Sequence, residues 1–192
     1  RPRWTLDYVL REKFRLPNLD THVTEGSGRA VSIAEYFNTM LDTSMDWDTA
    51  AAIRAQWGGT FVLKGVMSAA DARRAVAIGA DAIMISNHGG RQLDGSRAPF
   101  DQLPEIVDAV GGKIEIICDG GVRRGTHVMK ALCSGATAAS GGRLYLYALA
   151  AAGQAGVERA LGILKDEIER GMRLAGVTRL DQLTRERIRH RN

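Results

Sequence analysis

The stretch Ala82-Ile83-Met84-Ile85-Ser86-Asn87-His88-Gly89-Gly90-Arg91-Gln92-Leu93-Asp94-Gly95 sets the reading of this chain. Four apolar residues, too few for a helix, run without polar alternation into a glycine-rich turn. Such a run reads as a strand covered on both faces, the mark of a parallel sheet. The turn carries an imidazole three residues before a guanidinium. Glycine lets the backbone approach a ligand closely. Histidine exchanges a proton near neutral pH, and arginine grips a carboxylate through two parallel hydrogen bonds. On spacing alone, a structural loop and a ligand site both stay open.

The same pattern recurs on either side. Apolar runs predict strands near 60–64, 81–86, 114–118 and 136–141, at the spacing of βα units. Helices are predicted between them. Thr43 and Asp46 have the spacing of a capping box for a helix through Ala55, and Ser68 and Asp71 for one stopped by Gly79. Further helices are expected over 103–110, 126–133 and 145–174, with a short one over 180–188 and another over 33–40. The chemistry-bearing residues follow the strands: Lys64, Ser86 to Arg91, Asp119 to Arg124, and Gly142 with Arg143. Barrels and open α/β sheets both place their sites there. Four βα units make half of an eightfold barrel, which takes about 250 residues. The domain division expected is an irregular region over 1–43 and the α/β part over 44–192.

Bulk properties narrow the class. The 192 residues are 45% hydrophobic and 25% charged, an ordinary globular balance. No apolar run nears the roughly 20 residues of a membrane span. The net charge of +4 comes partly from arginines and lysines near both ends, read as solvated faces. No nucleic-acid motif accompanies them. Cys118 and Cys133 sit in apolar contexts and read as buried free thiols, which suits a reducing, cytoplasmic setting. No metal site is expected. The chain opens Arg1-Pro2-Arg3-Trp4 without an initiator Met, so it is expected to begin within a longer protein.

The segment from Ser86 to Gly95 resembles the signature of the FMN-dependent α-hydroxy-acid dehydrogenases and oxidases. Leu63-Lys64-Gly65-Val66 is similar to that family's strand-five motif. Asp119-Gly120-Gly121-Val122-Arg123-Arg124-Gly125-Thr126 is similar to its strand-seven phosphate loop, and Gly142-Arg143 to its strand-eight phosphate contact. The segments around Leu146-Tyr147-Ala148 and Ala152-Gly153-Gln154 are most similar to the bacterial L-lactate dehydrogenase branch. The resemblance implies the C-terminal half of a (β/α)8 TIM barrel that binds FMN and oxidises an L-2-hydroxy acid, L-lactate foremost, to the 2-oxo acid.

It also implies roles. His88 would be the active-site base, taking a proton from carbon or from oxygen. Arg91 would hold the substrate carboxylate, Lys64 would stabilise charge beside the flavin ring, and Ser86 would touch the flavin. Asp119, Gly120, Gly121, Val122, Arg123, Gly142 and Arg143 would cradle the phosphate. Quinone, cytochrome or oxygen would accept the electrons. Without the resemblance, Lys64 reads as a surface lysine and Asp119 as a loop cap. Arg124 is expected to turn away into an ion pair. His127, where the family has Asp, reads as a surface substitution.

The family's N-terminal strands, and the Asp that orients its histidine, have no counterpart here. Gly141 replaces a bulky aliphatic and Leu144 a Pro or Ala, so the last strand is expected to fray or shift register. A half barrel is expected to pair with a second copy or with its other half, or else to be marginally stable. A non-catalytic FMN-binding module or a degenerate gene product is the alternative. In this family the segment before the fourth helix can bind a membrane, so the resemblance allows Phe14, Leu16 and nearby basic residues to contact the inner membrane face; a disordered surface loop is the default expectation.

Overall fold

The computed structural model describes residues 2–10, 39 and 41–189. The expected helix over 33–40 and the membrane-contact residues Phe14 and Leu16 lie outside them. The chain divides into two units after Asp46. The first contains helix α1 (Pro2–Leu10), on which Trp4 and Tyr8 stack one turn apart with ring centroids 5.3 Å apart.

The second unit runs α2 (Trp47–Trp57), β1 (Val62–Lys64), α3 (Ala69–Ala77), β2 (Ala82–Ile85) and α4 (Pro99–Val110). It continues with β3 (Glu115–Asp119), α5 (Gly125–Cys133), β4 (Ala138–Ser140) and α6 (Gly142–Leu174). The four strands form one sheet in the order β1-β2-β3-β4, all parallel. Each strand follows its predecessor through a helix, as parallel pairing requires.

Alternation along the strands gives the sheet two unlike faces. Ile83, Ile85, Ile116 and Cys118 point toward the helices and pack with Leu103 and Ile106 of α4, all 0–3% exposed. Each fully buried aliphatic of this kind contributes roughly 1.5–3 kcal/mol. The opposite face carries Val62, Met84, Ile117 and Ala138, and Val62 is 43% exposed. Toward the strand C-termini this second face becomes polar with Lys64, Ser86, Asp119 and Ser140.

Several boundaries differ from the sequence expectation. Helix α2 starts at Trp47 instead of Thr43, because the Asp42 carboxylate accepts from the Ser44 amide (2.8 Å) and hydroxyl (2.6 Å). That local turn competes with helix. Helix α4 starts at Pro99 instead of Leu103. Proline suits the first helical position, where no N–H is needed. Helix α3 keeps the expected cap, with the Ser68 hydroxyl accepting from the Asp71 amide at 3.0 Å.

Strand β4 is only Ala138–Ser140, yet its pairing runs in regular register through Asp119 and Ser140. It stops because Gly141 already precedes the helix; there is no shift of register. Helix α6 begins at Gly142, earlier than expected, and is interrupted at Ala152 and Gly153, which leave helical geometry. The expected helix over 180–188 is instead two 3-10 turns, Leu180–Gln182 and Arg185–Arg187. No helix among the described residues is long and apolar enough to cross a membrane.

Candidate active site

The polar end of the sheet face is knitted by one hydroxyl. Ser86, just past β2 and 4% exposed, donates to Asp119 Oδ2 at 2.7 Å. Its Oγ accepts from Lys64 Nζ at 3.0 Å and from the His88 amide at 3.2 Å. Lys64 also pairs with Asp119 at 3.4 Å. Burial by itself would raise the Asp119 carboxyl. Hydrogen bonds from Ser86 and Ser140 and the charge of Lys64 outweigh it, holding the group below the usual carboxylate range. Lys64 is therefore tied into the strand ends, not a free surface lysine, and Asp119 does more than cap its loop.

The turn after β2 lifts His88 out of the sheet. Asn87 accepts from the Gly90 amide through its side chain (3.2 Å), and its amide group donates to Arg97 O (3.3 Å). His88 itself adopts φ 57°, a left-handed conformation that costs a side-chain-bearing residue on the order of 1 kcal/mol. Among the described residues nothing hydrogen-bonds the His88 ring, and Arg91 has no ion-pair partner. Arg143, from the start of α6, donates to Gly89 O at 2.7 Å. A Cβ on Gly89 would lie 2.8 Å from that guanidinium and would need φ near +70°. Glycine here lets the last βα unit grip the histidine turn.

The third component is the loop 120–124 between β3 and α5. Gly120 N donates to Ser140 O at 3.2 Å, tying the loop to β4. Arg124 turns away to Glu167 of α6 at 2.6 Å, the ion pair expected of it. Glu167 also accepts from the Gly125 amide at 2.7 Å, capping α5. His127 corrects the sequence reading. It is half-buried, and its Nδ1 lies 3.2 Å from both Arg123 N and Gly121 O. It is the third residue of α5, a position from which side chains reach back to the preceding loop. That spacing could have revealed its role. Glu167 gave no sequence signal.

These parts surround one cavity of about 370 Å³. Lys64, His88, Arg91, Asp119, Gly120, Gly121, Val122, Arg123, Gly142 and Arg143 all line it, and Ser86 lies beneath. Leu144 and Tyr147 of α6 complete the wall, and neither was singled out as a site residue from the sequence. Among the described residues Arg123 has no carboxylate partner, and Arg143 has only a carbonyl. Two guanidiniums beside the glycine loop give this end of the cavity a positive charge that suits an anion. Lys64 extends the positive field toward the sheet.

The chain matches the FMN-dependent dehydrogenase family over residues 1–190. It is 42% identical to an L-lactate dehydrogenase of Alcaligenes faecalis over 186 residues, covering 96% of this chain and 49% of that protein. It is 42% identical to an L-lactate oxidase of Nostoc sp., over 92% of this chain and 49% of the relative. Among solved structures it resembles the flavin-binding domain of baker's yeast flavocytochrome b2. That likeness has a TM-score of 0.74 and 40% identity over 83% of this chain and 44% of the other. The chain thus spans about half the length of the curated relatives it matches.

Proposed function

The chain belongs to the FMN-dependent dehydrogenase family, and from that we propose that it forms the phosphate-gripping, proton-transferring half of an L-2-hydroxy-acid oxidoreductase, with L-lactate the leading substrate. The observation that carries this reading is the convergence of Lys64, His88, Arg91, Arg123 and Arg143, from four strand ends, on one cavity. The donor set fits FMN. Arg123, Arg143 and the amides of 121, 122 and 142 would hold its phosphate, and Asp119 and Ser86 would face the rest of the cofactor. When bound, FMN supplies a two-electron acceptor.

The protein groups do the remaining work. Arg91 would hold the substrate carboxylate by a bidentate pair. His88 Nδ1 or Nε2, free of ring partners among the described residues, would take the proton that the hydroxy acid loses. Lys64, held in place by Ser86 and Asp119, would stabilise negative charge gathering beside it, a preorganised electrostatic effect. The electron acceptor would be a quinone, a cytochrome or oxygen. A cytoplasmic site with peripheral membrane contact through the first 43 residues is part of the same proposal.

A second reading is a flavin-binding half barrel without catalysis. The exposure of Val62 and Ala138 on one sheet face favours it, as does a His88 ring without a hydrogen-bond partner among the described residues. One anaerobic experiment separates the two. Added FMN that loses its fluorescence and is then bleached by L-lactate supports the oxidoreductase. Binding without bleaching supports the module, and the absence of binding removes both.

A further inference from the structure

We propose that His127 is a positioning residue for the phosphate grip, its neutral imidazole tethering Arg123 and its protonation transferring the tether to Gly121. The proposal rests on the reading of loop 120–124 as a phosphate loop. One ring nitrogen, Nδ1, lies 3.2 Å from Arg123 N and 3.2 Å from Gly121 O. A nitrogen with a lone pair accepts from the Arg123 amide. The same nitrogen carrying hydrogen donates to the Gly121 carbonyl and opposes the Arg123 N–H. The two contacts exclude each other, and with the neutral ring in its Nε2–H tautomer, protonation at Nδ1 exchanges one for the other.

The placement gives this choice a consequence. The loop separates two cavities, and Gly120, Gly121 and Val122 line both. His127 lines only the rear one, of about 250 Å³, and does not line the cavity that Arg123 and Arg143 face. It acts on the loop from behind. Anchors on either side of Arg123 are the Gly120–Ser140 bond and the Arg124–Glu167 pair. Arg123 has no side-chain partner among the described residues. Its amide bond to His127 is what sets its backbone between those anchors.

The ionisable groups that line the His127 cavity are Cys118 of β3 and Lys130 of its own helix; Arg123 and Arg124 precede it in the loop, and Arg124 pairs with Glu167 of α6. Helix α4 presents Phe100. Burial, and then the charge of Asp119, push the Cys118 thiol up to about 11, so it stays neutral across the range tested. Arg124 and the Gly125 amide hold Glu167 below its ordinary value, so it stays ionised there. Histidine is the side chain whose charge ordinarily changes between about pH 5 and 8.

Two measurements on the full chain test the proposal. The first is FMN affinity by fluorescence quenching, for the native chain and His127→Asn, from about pH 5.5 to 8. Asparagine offers an acceptor that does not titrate, and the ratio between the two proteins cancels the phosphate's own ionisation. Equal affinities are expected at the alkaline end, with the native chain weakening relative to the variant about fivefold at the acid end, the worth of one hydrogen bond. A flat ratio overturns the proposal, as does a native chain that gains affinity in acid, which would make the imidazolium a mere added cation.

The second is a nitrogen-15 NMR titration without ligand. A bare Nδ1 in the neutral ring and an Arg123 amide shift that follows its protonation are expected. An Arg123 amide indifferent to that protonation overturns the tether. If FMN binds neither protein at any pH, the phosphate assignment falls, while the NMR titration still decides the tether.

Discussion

Replacing Ser86 with alanine removes the hydroxyl that joins three strand ends, and the structure sets the scale of the loss. The bond to Asp119 is 2.7 Å long, runs to a carboxylate 15% exposed, and comes from a residue 4% exposed. A hydrogen bond to a charged acceptor of this kind contributes about 2 kcal/mol. The Lys64 contact adds little, because that ammonium is 53% exposed and solvent screens it. The His88 amide can turn to water. The expected loss is thus about 2 kcal/mol at neutral pH, near 1 M in urea midpoint for a slope of about 2 kcal/mol/M.

The pH dependence has a definite sign. Asp119 has a folded-state pKa below its unfolded one, so its stabilisation is complete above the unfolded value, about 3.9, and is lost as pH falls through the lower folded value. Ser86→Ala raises the folded value toward the ordinary one. The gap between native and variant proteins should therefore be full at pH 7 and should shrink below about pH 4. Urea melts followed by circular dichroism at both pH values check this. A loss under about 0.5 kcal/mol at pH 7, or a gap unchanged in acid, would refute the reasoning.

Three further outcomes are expected. Arg123→Gln should weaken FMN binding by roughly tenfold to a hundredfold, the value of a charge-assisted phosphate contact; fluorescence quenching measures it, and an unchanged affinity would remove Arg123 from the cradle. Gly125→Ala would bring a Cβ within 2.6 Å of the Ile168 backbone nitrogen and should cost about 3 kcal/mol by overpacking α5 against α6, read as a lower urea midpoint; a variant as stable as the native chain would show that the two helices can part. Cys118, 2% exposed with its thiol near 11, and Cys133, 3% exposed, should resist a thiol reagent at about pH 8 until the chain is unfolded; rapid labelling of the folded protein would contradict the packing.

The strands and their order of use were legible because their signal is local. An unalternating apolar run followed by a glycine turn needs no distant partner to be read, and it located Lys64, Ser86, His88, Asp119 and Arg143 at strand ends. Helix boundaries were less legible. Asp42 with Ser44, and Pro99, decide starts that periodicity places elsewhere. The contacts that shape the site were not legible at all. Arg143 meets Gly89 across 54 residues of chain, and Glu167 caps Gly125 across 42. Such meetings exist only once the strands lie side by side and their following turns share one rim. His127 shows the division most sharply: its identity is in the sequence, but its choice between Arg123 and Gly121 is created by a loop folded back over the first turn of its helix.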